Sequence, residues 1–479
     1  MTTAGPAPPL AGASAEPGSF RDPDSTVFYA DGAVYRALSE DGLADFELLA
    51  QSKLFTRETE AGRLVPTELV EGEAAGPRAD RCAGLLRHEL IPFVSYPYEW
   101  PFGMLRDAAL LQLDLVSAAL DEDLMLKDSS SYNVQWRGSQ PVFVDIGSFE
   151  KLRDGEPWIG YRQFCMLFLY PLMLQAYKGL APHAWLRGSI DGISPGEMRT
   201  VMSFRDRFRK GVTPHVMLHA RLERSHGEPG KEAKSELRKA GFKKEIIKAN
   251  VTKLHKLITR LDWSPAAGVW TEYEGKNTYE DAEAEKKAQF IREVANSRDW
   301  GLAWDLGCNE GRYSRIAAEG ARHLVAVDAD QGPVEHLYRS LKEEGNTKIT
   351  TLTMNLTDPS PGLGWRGLER KQLADRGAPD LTLCLALIHH VSIAGNVPVR
   401  EYLDWLASLG TSLIIEFPER EDPMVKTLLG AKREGLHTDY ETEFFERALG
   451  EAFEVERRER VSDTRLLFFA RPKGSPAPA

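Results

Sequence analysis

The chain has 479 residues, with 60 Lys and Arg against 71 Asp and Glu, a net charge of -11. Hydrophobic residues make up 42%, enough for several packed cores, and the negative balance argues against bulk nucleic-acid binding. No apolar run is long enough to span a bilayer and the start carries no signal-peptide pattern. The four cysteines, Cys82, Cys165, Cys308 and Cys384, lie without metal-ligand spacing, which points to a cytoplasmic protein.

Residues 1–19 are rich in Ala, Pro, Gly and Ser and read as a disordered tail. Residues 20–195 mix α and β signals. VFYADGAVYRAL and LVPTELV are strand-like, and a helix is expected over Phe102–Leu120. The loop Leu126-Lys127-Asp128-Ser129-Ser130-Ser131-Tyr132-Asn133 then leads into VFVDIGSFE, with Asp145 and Gly147. Read plainly, this is an Asp/Ser/Asn-rich loop closing on a hairpin. It also resembles the catalytic core of the protein-kinase-like fold, in which an Asp, an Asn five places on and a strand ending in D-F-G recur. The resemblance implies Asp128 as base, Asn133 and Asp145 as magnesium ligands, and ATP as the nucleotide. Phe93–Trp100 (FVSYPYEW) would be the hinge. Arg36 or Lys53 would be the phosphate-binding cation, with Glu47 as its partner. Leu126 and Lys127 replace the usual His and Arg, and neither a glycine-rich loop nor a V-A-I-K lysine is present. An active kinase and a degenerate substrate-binding or docking lobe are both open on these residues.

FCMLFLYPLML, from Phe164, is the most apolar stretch. It is short and contains Pro171, so a buried helix is expected. Residues 196–265 read as a basic helical linker. Leu237, Ile246, Ile247, Val251, Leu254 and Leu257 recur at helical spacing. Its basic face is either solvated or a contact for an anionic substrate or partner.

Residues 266–473 alternate strands and helices, which implies a largely parallel sheet. Strands are expected at Leu302–Asp305, Leu324–Asp328, Ile349–Met354, Leu381–Ala386, Ser412–Glu416, Phe453–Arg458 and Leu466–Ala470, the last two as a hairpin. Residues 474–479 read as a tail. The first two strands flank AWDLGCNEGRYSRIAAEGARHLVAVD: a strand ending on Asp305, a turn through Gly307, Asn309 and Gly311, a helix, and a strand ending on Asp328. Glycine frees the turn from a Cβ clash. A carboxylate at Asp328, with Asp330 as a nearby substitute, can accept from both hydroxyls of a ribose. The dinucleotide fingerprint G-x-G-x-x-G is not met, because its middle glycine is missing. Glu310 would also repel a phosphate.

This block resembles motif I and the following acid of class I S-adenosylmethionine-dependent methyltransferases. The resemblance implies an α/β, Rossmann-like seven-stranded sheet with an antiparallel last strand for this part of the chain, which the N-terminal α+β, kinase-like domain and the helical linker read above would precede. It implies S-adenosyl-L-methionine as cofactor, with Asp305 orienting the methionine end and the backbone around Gly307 and Gly311 against the adenosine. Asn355 would accept from the adenine amino group, with Leu356 packed on the ring; Asn355 as a plain turn residue is the alternative. Tyr273 and Tyr279 precede the motif, where family members place a lid, and aromatic packing of a domain-edge helix reads them equally well.

The fourth strand ends in Leu387-Ile388-His389-His390, in place of the N/D-P-P-Y of DNA-adenine and glutamine N-methyltransferases. A histidine at that mouth can act as general base for a hydroxyl. Adjacent residues usually face apart, so one of His389 and His390 is expected to serve, or both are structural. Glu416 ends the fifth strand and would orient a histidine or bind the acceptor. MNLTDPSPGLGW and LALIHHV are also similar to the methyltransferase family that includes the nodulation protein NoeA. The function expected is methyl transfer to oxygen or nitrogen of a small-molecule or glycan-like acceptor. The alternatives are a bifunctional enzyme whose first half binds nucleotide or transfers phosphate, and a scaffold. No protein partner is indicated.

Overall fold

The computed structural model describes residues 13–70, 82–153, 155–226, 243–264 and 278–474. It forms two compact units. The first comprises Met1–Trp136, Pro141–Trp263 and Leu363–Arg370; the second comprises Arg137–Gln140, Ser264–Gly362 and Lys371–Ala479.

The first unit opens with a five-stranded antiparallel sheet ordered β1-β2-β3-β5-β4. The strands are β1 (Ser14–Ala15), β2 (Ser25–Ala30), β3 (Ala33–Leu38), β4 (Thr67–Val70) and β5 (Gly84–His88). Asp31 and Gly32 join β2 to β3 with φ of 50° and 71°, the two left-handed residues that a tight hairpin turn requires. Two helices, Glu40–Ala50 and Lys53–Glu60, follow β3, each started by a serine side chain (Ser39, Ser52) that accepts a backbone N–H. β1 corrects the expected tail: Ser14 and Ala15 pair with Tyr29 and Phe28. Residues 1–12 lie outside the described residues.

The helix Phe102–Asp121 is buried on most of its circumference. The helix Lys244–Thr259 packs on it through Ile247, Val251, Leu254 and Ile258, residues that recur every three or four positions as a helical face must. The basic stretch therefore joins the first unit up to Trp263. After the long helix, β6 (Leu124–Leu126) pairs with β9 (Phe149–Lys151), and β7 (Val134–Arg137) with β8 (Gln140–Phe143). The apolar run from Phe164 is buried throughout, in a helical stretch with a π-turn at Cys165–Leu169.

The second unit is an α/β sheet ordered β12-β11-β10-β13-β14-β16-β15. In chain order its strands are β10 (Trp300–Leu306), β11 (Ala321–Asp328), β12 (Ile349–Thr353), β13 (Leu381–Cys384), β14 (Ser412–Pro418), β15 (Phe453–Ser462) and β16 (Arg465–Pro472). The first five are parallel; β16 runs antiparallel beside β14 and forms a hairpin with β15. This is the seven-stranded methyltransferase-like α/β fold expected from the sequence. Parallel strands covered on both faces read as continuous apolar runs, and β14 is buried at every position. The order reverses at β10, which lies between β11 and β13, so a crevice opens at the carboxyl ends of these strands. Among the described residues, no helix is long and apolar enough to cross a membrane.

The helix Arg312–Gly320 enters β11 by passing the end of the helix Thr278–Ala295 at close range. A Cβ on Gly320 would lie 1.8 Å from the Ala295 carbonyl oxygen. Gly320→Ala is therefore expected to cost about 2 kcal/mol, read as a lowered denaturant midpoint with an unchanged slope. An unchanged midpoint would show that the two helix ends are free to separate.

Candidate functional site

The site grows from the turn after β10. Gly307 N and Cys308 N both donate to Val327 O on β11, at 2.8 and 3.0 Å, which carries the sheet ladder one step into the loop. Gly307, Asn309 and Gly311 all hold positive φ, at 86°, 47° and 77°. Gly311 precedes the helix Arg312–Gly320, and a Cβ there would meet the Leu337 side chain at 2.5 Å.

Asp328 ends β11 facing this turn. Its Oδ2 accepts from Asn309 N at 2.9 Å and its Oδ1 from Asp330 N at 2.9 Å. Each oxygen keeps a further lone pair. Burial raises the Asp328 pKa, and the Asp330 and Asn309 N–H groups oppose the rise. Asp305 is fully enclosed. Ser314 Oγ donates to its Oδ2 at 2.6 Å, and Oδ1 is buried with no hydrogen-bond partner. Burial lifts its pKa to about 7, against the Ser314 bond and with a further push from Asp328.

A cavity of about 900 Å³ opens over this floor. Gly307, Asn309, Asp328, Asn355, Leu356, His389 and His390 all line it; Asp305 lies behind the turn and does not. Of the expected cofactor residues, Tyr273 lies outside the described residues, and Tyr279 is placed only as part of a helix backbone. Asn355 departs from its expected role. Its Oδ1 already accepts from Thr357 N at 3.0 Å and Thr357 Oγ1 at 2.9 Å, so both lone pairs are used and the residue works as a turn former.

His389 and His390 both face the cavity, their rings 4.1 Å apart. The expectation that they diverge fails because they start a helical turn, where neighbours differ by about 100° instead of the half-turn of a strand. Burial lowers both pKa values. His390 and Arg465 push His389 further down, and Arg465 does the same to His390. Both rings are therefore neutral bases at physiological pH. His389 Nδ1 is buried without a partner.

Glu416 is fully buried, and it is the centre of an ion network instead of a wall of the main cavity. It accepts from Lys287 Nζ at 2.6 Å and Arg465 Nη1 at 3.3 Å, while Arg465 Nε donates to Asp422 at 2.8 Å. Burial alone would raise its pKa; Lys287 and Arg465 reverse this and hold it low. Each of its oxygens is thus engaged by a basic side chain, Oε2 by Lys287 and Oε1 by Arg465. Lys287 and Arg465, which line the cavity, are not marked by any local motif. Only burial beside Glu416 singles them out.

In the first unit, Asp145 Oδ1 takes Arg36 Nη1 at 2.9 Å, and Oδ2 takes Asn133 Nδ2 at 3.3 Å and Ser148 Oγ. A guanidinium thus occupies the carboxylate face that a divalent cation would need. Among the described residues no group of three or more His, Cys, Asp or Glu could hold a metal. The residues expected as magnesium ligands, Asn133 and Asp145, are thus bonded to each other, with Asp145 also paired to Arg36. Asp128 is exposed. Glu47 is also exposed, on the helix Glu40–Ala50.

No family model matches the chain. Nodulation protein NoeA of Rhizobium meliloti (strain 1021) is 32% identical over 455 residues, 94% of each chain. Among solved structures, the N-methyltransferase NodS from Bradyrhizobium japonicum WM9 with S-adenosyl-L-homocysteine is 14% identical, with 43% of this chain and 92% of that one covered and a TM-score of 0.30. Magnesium protoporphyrin IX methyltransferase from Synechocystis PCC 6803 is 18% identical, with 42% and 89% covered and a TM-score of 0.30. These likenesses concern the fold of part of the chain. The comparisons lend no support to a kinase-like first half, to ATP or to magnesium.

The Asp305 carboxyl gives a pH signature. In the folded chain it keeps its proton up to about pH 7, and in the unfolded chain it loses it near 3.8. Stability from this group is therefore full below the lower value and is lost as pH rises through the higher one. Asp305→Asn is expected to raise stability by up to about 4 kcal/mol above pH 7 and by little near pH 4. Denaturant melts at the two pH values check this, and an equal effect at both would refute it.

Proposed function

The chain belongs to the NoeA family of nodulation proteins, and we propose that residues 266–473, which make up most of its second unit, form an S-adenosylmethionine-dependent methyltransferase acting on oxygen or nitrogen of a small-molecule or glycan-like acceptor. The observation that carries this reading is the pair of buried carboxylates at the glycine turn. Asp328 is held in place by two backbone N–H groups with lone pairs to spare. Asp305 lies behind the turn with one oxygen unpartnered. Such a floor repels phosphate and suits a ligand that carries ribose hydroxyls and positive charge.

Gly307 and Gly311 would lie against the adenosine, Asp328 would accept from the ribose hydroxyls, and Leu356 would flank the base. Asp305 supports the cationic amino-acid end through its field. When bound, S-adenosylmethionine would supply a methyl group already activated on a sulfonium. The chain's own task is then to hold the acceptor and manage one proton. His389 or His390, kept neutral by burial and by Arg465, accepts the proton from an acceptor hydroxyl or amine. The Glu416–Lys287–Arg465–Asp422 network fixes Arg465 beside the rings. The cavity, at about 900 Å³, is in the upper part of the range for small-ligand sites, which leaves room for a modest acceptor beside the cofactor. All four cysteines are unpaired, which supports a reducing, cytoplasmic setting.

The test is transfer of labelled methyl from S-adenosylmethionine to an extract of low-molecular-weight and glycan fractions. The wild type is expected to label an acceptor, and Asp328→Ala to lower labelling by at least about a hundredfold at fixed cofactor. Labelling that survives in Asp328→Ala would remove this acid from the cofactor site. A second expectation concerns the histidines. Arg465→Gln should move the titration of both rings upward, read by NMR of the imidazole carbons, since a cation that disfavours imidazolium is removed. Unmoved titrations would show that burial alone sets them.

A further inference from the structure

Phe208 and Phe204 are the most exposed large apolar side chains among the described residues, at 82% and 68%. Phe204 immediately precedes a single 3-10 turn, Arg205–Phe208, and Phe208 is its last residue. Their exposure is built in, because the turn is anchored from below by Asp206. That carboxylate is 4% exposed. It accepts from Ser203 N and Oγ at 2.8 and 2.7 Å and from Lys178 Nζ at 2.9 Å, and it pairs with Arg209 at 3.1 Å. With Asp206 pinned inward, Phe204, Arg205, Arg207, Phe208 and Lys210 are left on the exposed side. Leu218, on the helical segment packed against this turn, is 50% exposed.

The charge around the rings is one-sided. From Arg199 to Arg224 there are seven Lys and Arg and two acids, Asp206 and Glu223, in a chain of net charge -11. Asp206 is consumed by its anchoring role, and Glu223 pairs with Arg162. A projecting aromatic and aliphatic knuckle ringed by guanidinium and ammonium groups matches the boundary of an anionic bilayer. There the rings enter the headgroup zone and the cations meet lipid phosphates. Nucleic acid fits less well. The two rings meet edge to face, 5.9 Å apart at 79°, and Arg207 lies 5.2 Å from the Phe204 centroid, so no open platform is left for stacked bases. We propose that this knuckle is a membrane-docking surface that holds the first unit against an anionic phospholipid bilayer. The proposal is independent of the methyltransferase reading.

Co-sedimentation of the full chain with vesicles tests it. Phosphatidylcholine vesicles containing phosphatidylglycerol should pull the protein down, and vesicles of phosphatidylcholine alone should not. Binding should fall at least about tenfold in Phe204→Ser/Phe208→Ser, and equally in Arg205→Glu/Arg207→Glu. It should weaken with salt in the wild type and remain intact in Asp328→Ala. Free glycerol phosphate should not compete, because a lone headgroup cannot receive the rings. Unchanged circular dichroism of the surface variants shows that they fold. No binding to anionic vesicles, binding insensitive to both double variants, displacement by glycerol phosphate, or capture of single-stranded RNA in place of vesicles would each overturn the proposal.

Discussion

The second unit depends on one carboxylate held by two loops. Asp328 accepts the Asn309 N–H from the turn after β10 and the Asp330 N–H from its own turn. The parallel register that sets Leu306 against Val327 brings these groups together, and the Val327 carbonyl takes two further N–H groups from the same turn. The cavity floor is thus an extension of the sheet, as rigid as the ladder that supports it. A glycine at 307 and at 311, with Asn309 tolerating the left-handed region between them, lets the chain make this turn.

That rigidity has an electrostatic cost. Asp305 and Asp328 are both held where burial disfavours their charge, and Asp328 adds to the difficulty at Asp305. The basic side chains of the cavity are arranged differently. Lys287 and Arg465 are matched by Glu416 and Asp422, so the network is balanced, and the two histidines beside it are kept neutral. A negative floor and neutral bases in the lining of one cavity suit a cationic donor and a protic acceptor. A protein selected only for stability would not leave a buried carboxylate oxygen unpartnered.

The parts visible in the sequence are those set by local chemistry. Central strands buried on both faces give unbroken apolar runs, and the seven strands of the second unit overlap the seven expected segments; β10, β11, β14, β15 and β16 run one to four residues beyond them, while β12 and β13 stop one and two residues short. The glycine turn, Asp305 and Asp328 were legible because a tight turn and an acid at a strand end leave marks within a few residues. Lys287 and Arg465 were not, since they meet Glu416 from 129 and 49 residues away. Asn355 read equally well as ligand or turn former, and only its bonds to Thr357 decide. In the first half, Asp128, Asn133 and Asp145 form a suggestive local spacing, yet Arg36, on a strand 109 residues before Asp145, neutralises the acid that the spacing offered to a metal. The basic helix near Lys244 read as a linker because its partner face, on Phe102–Asp121, is remote in sequence.

The most direct measurement of the central claim is calorimetric titration of the full chain with S-adenosylhomocysteine. It should bind one molecule per chain at sub-millimolar concentration. Affinity should fall as pH drops below about 7, where Asp305 takes up its proton. No heat of binding at any pH, with the protein folded, would contradict the account.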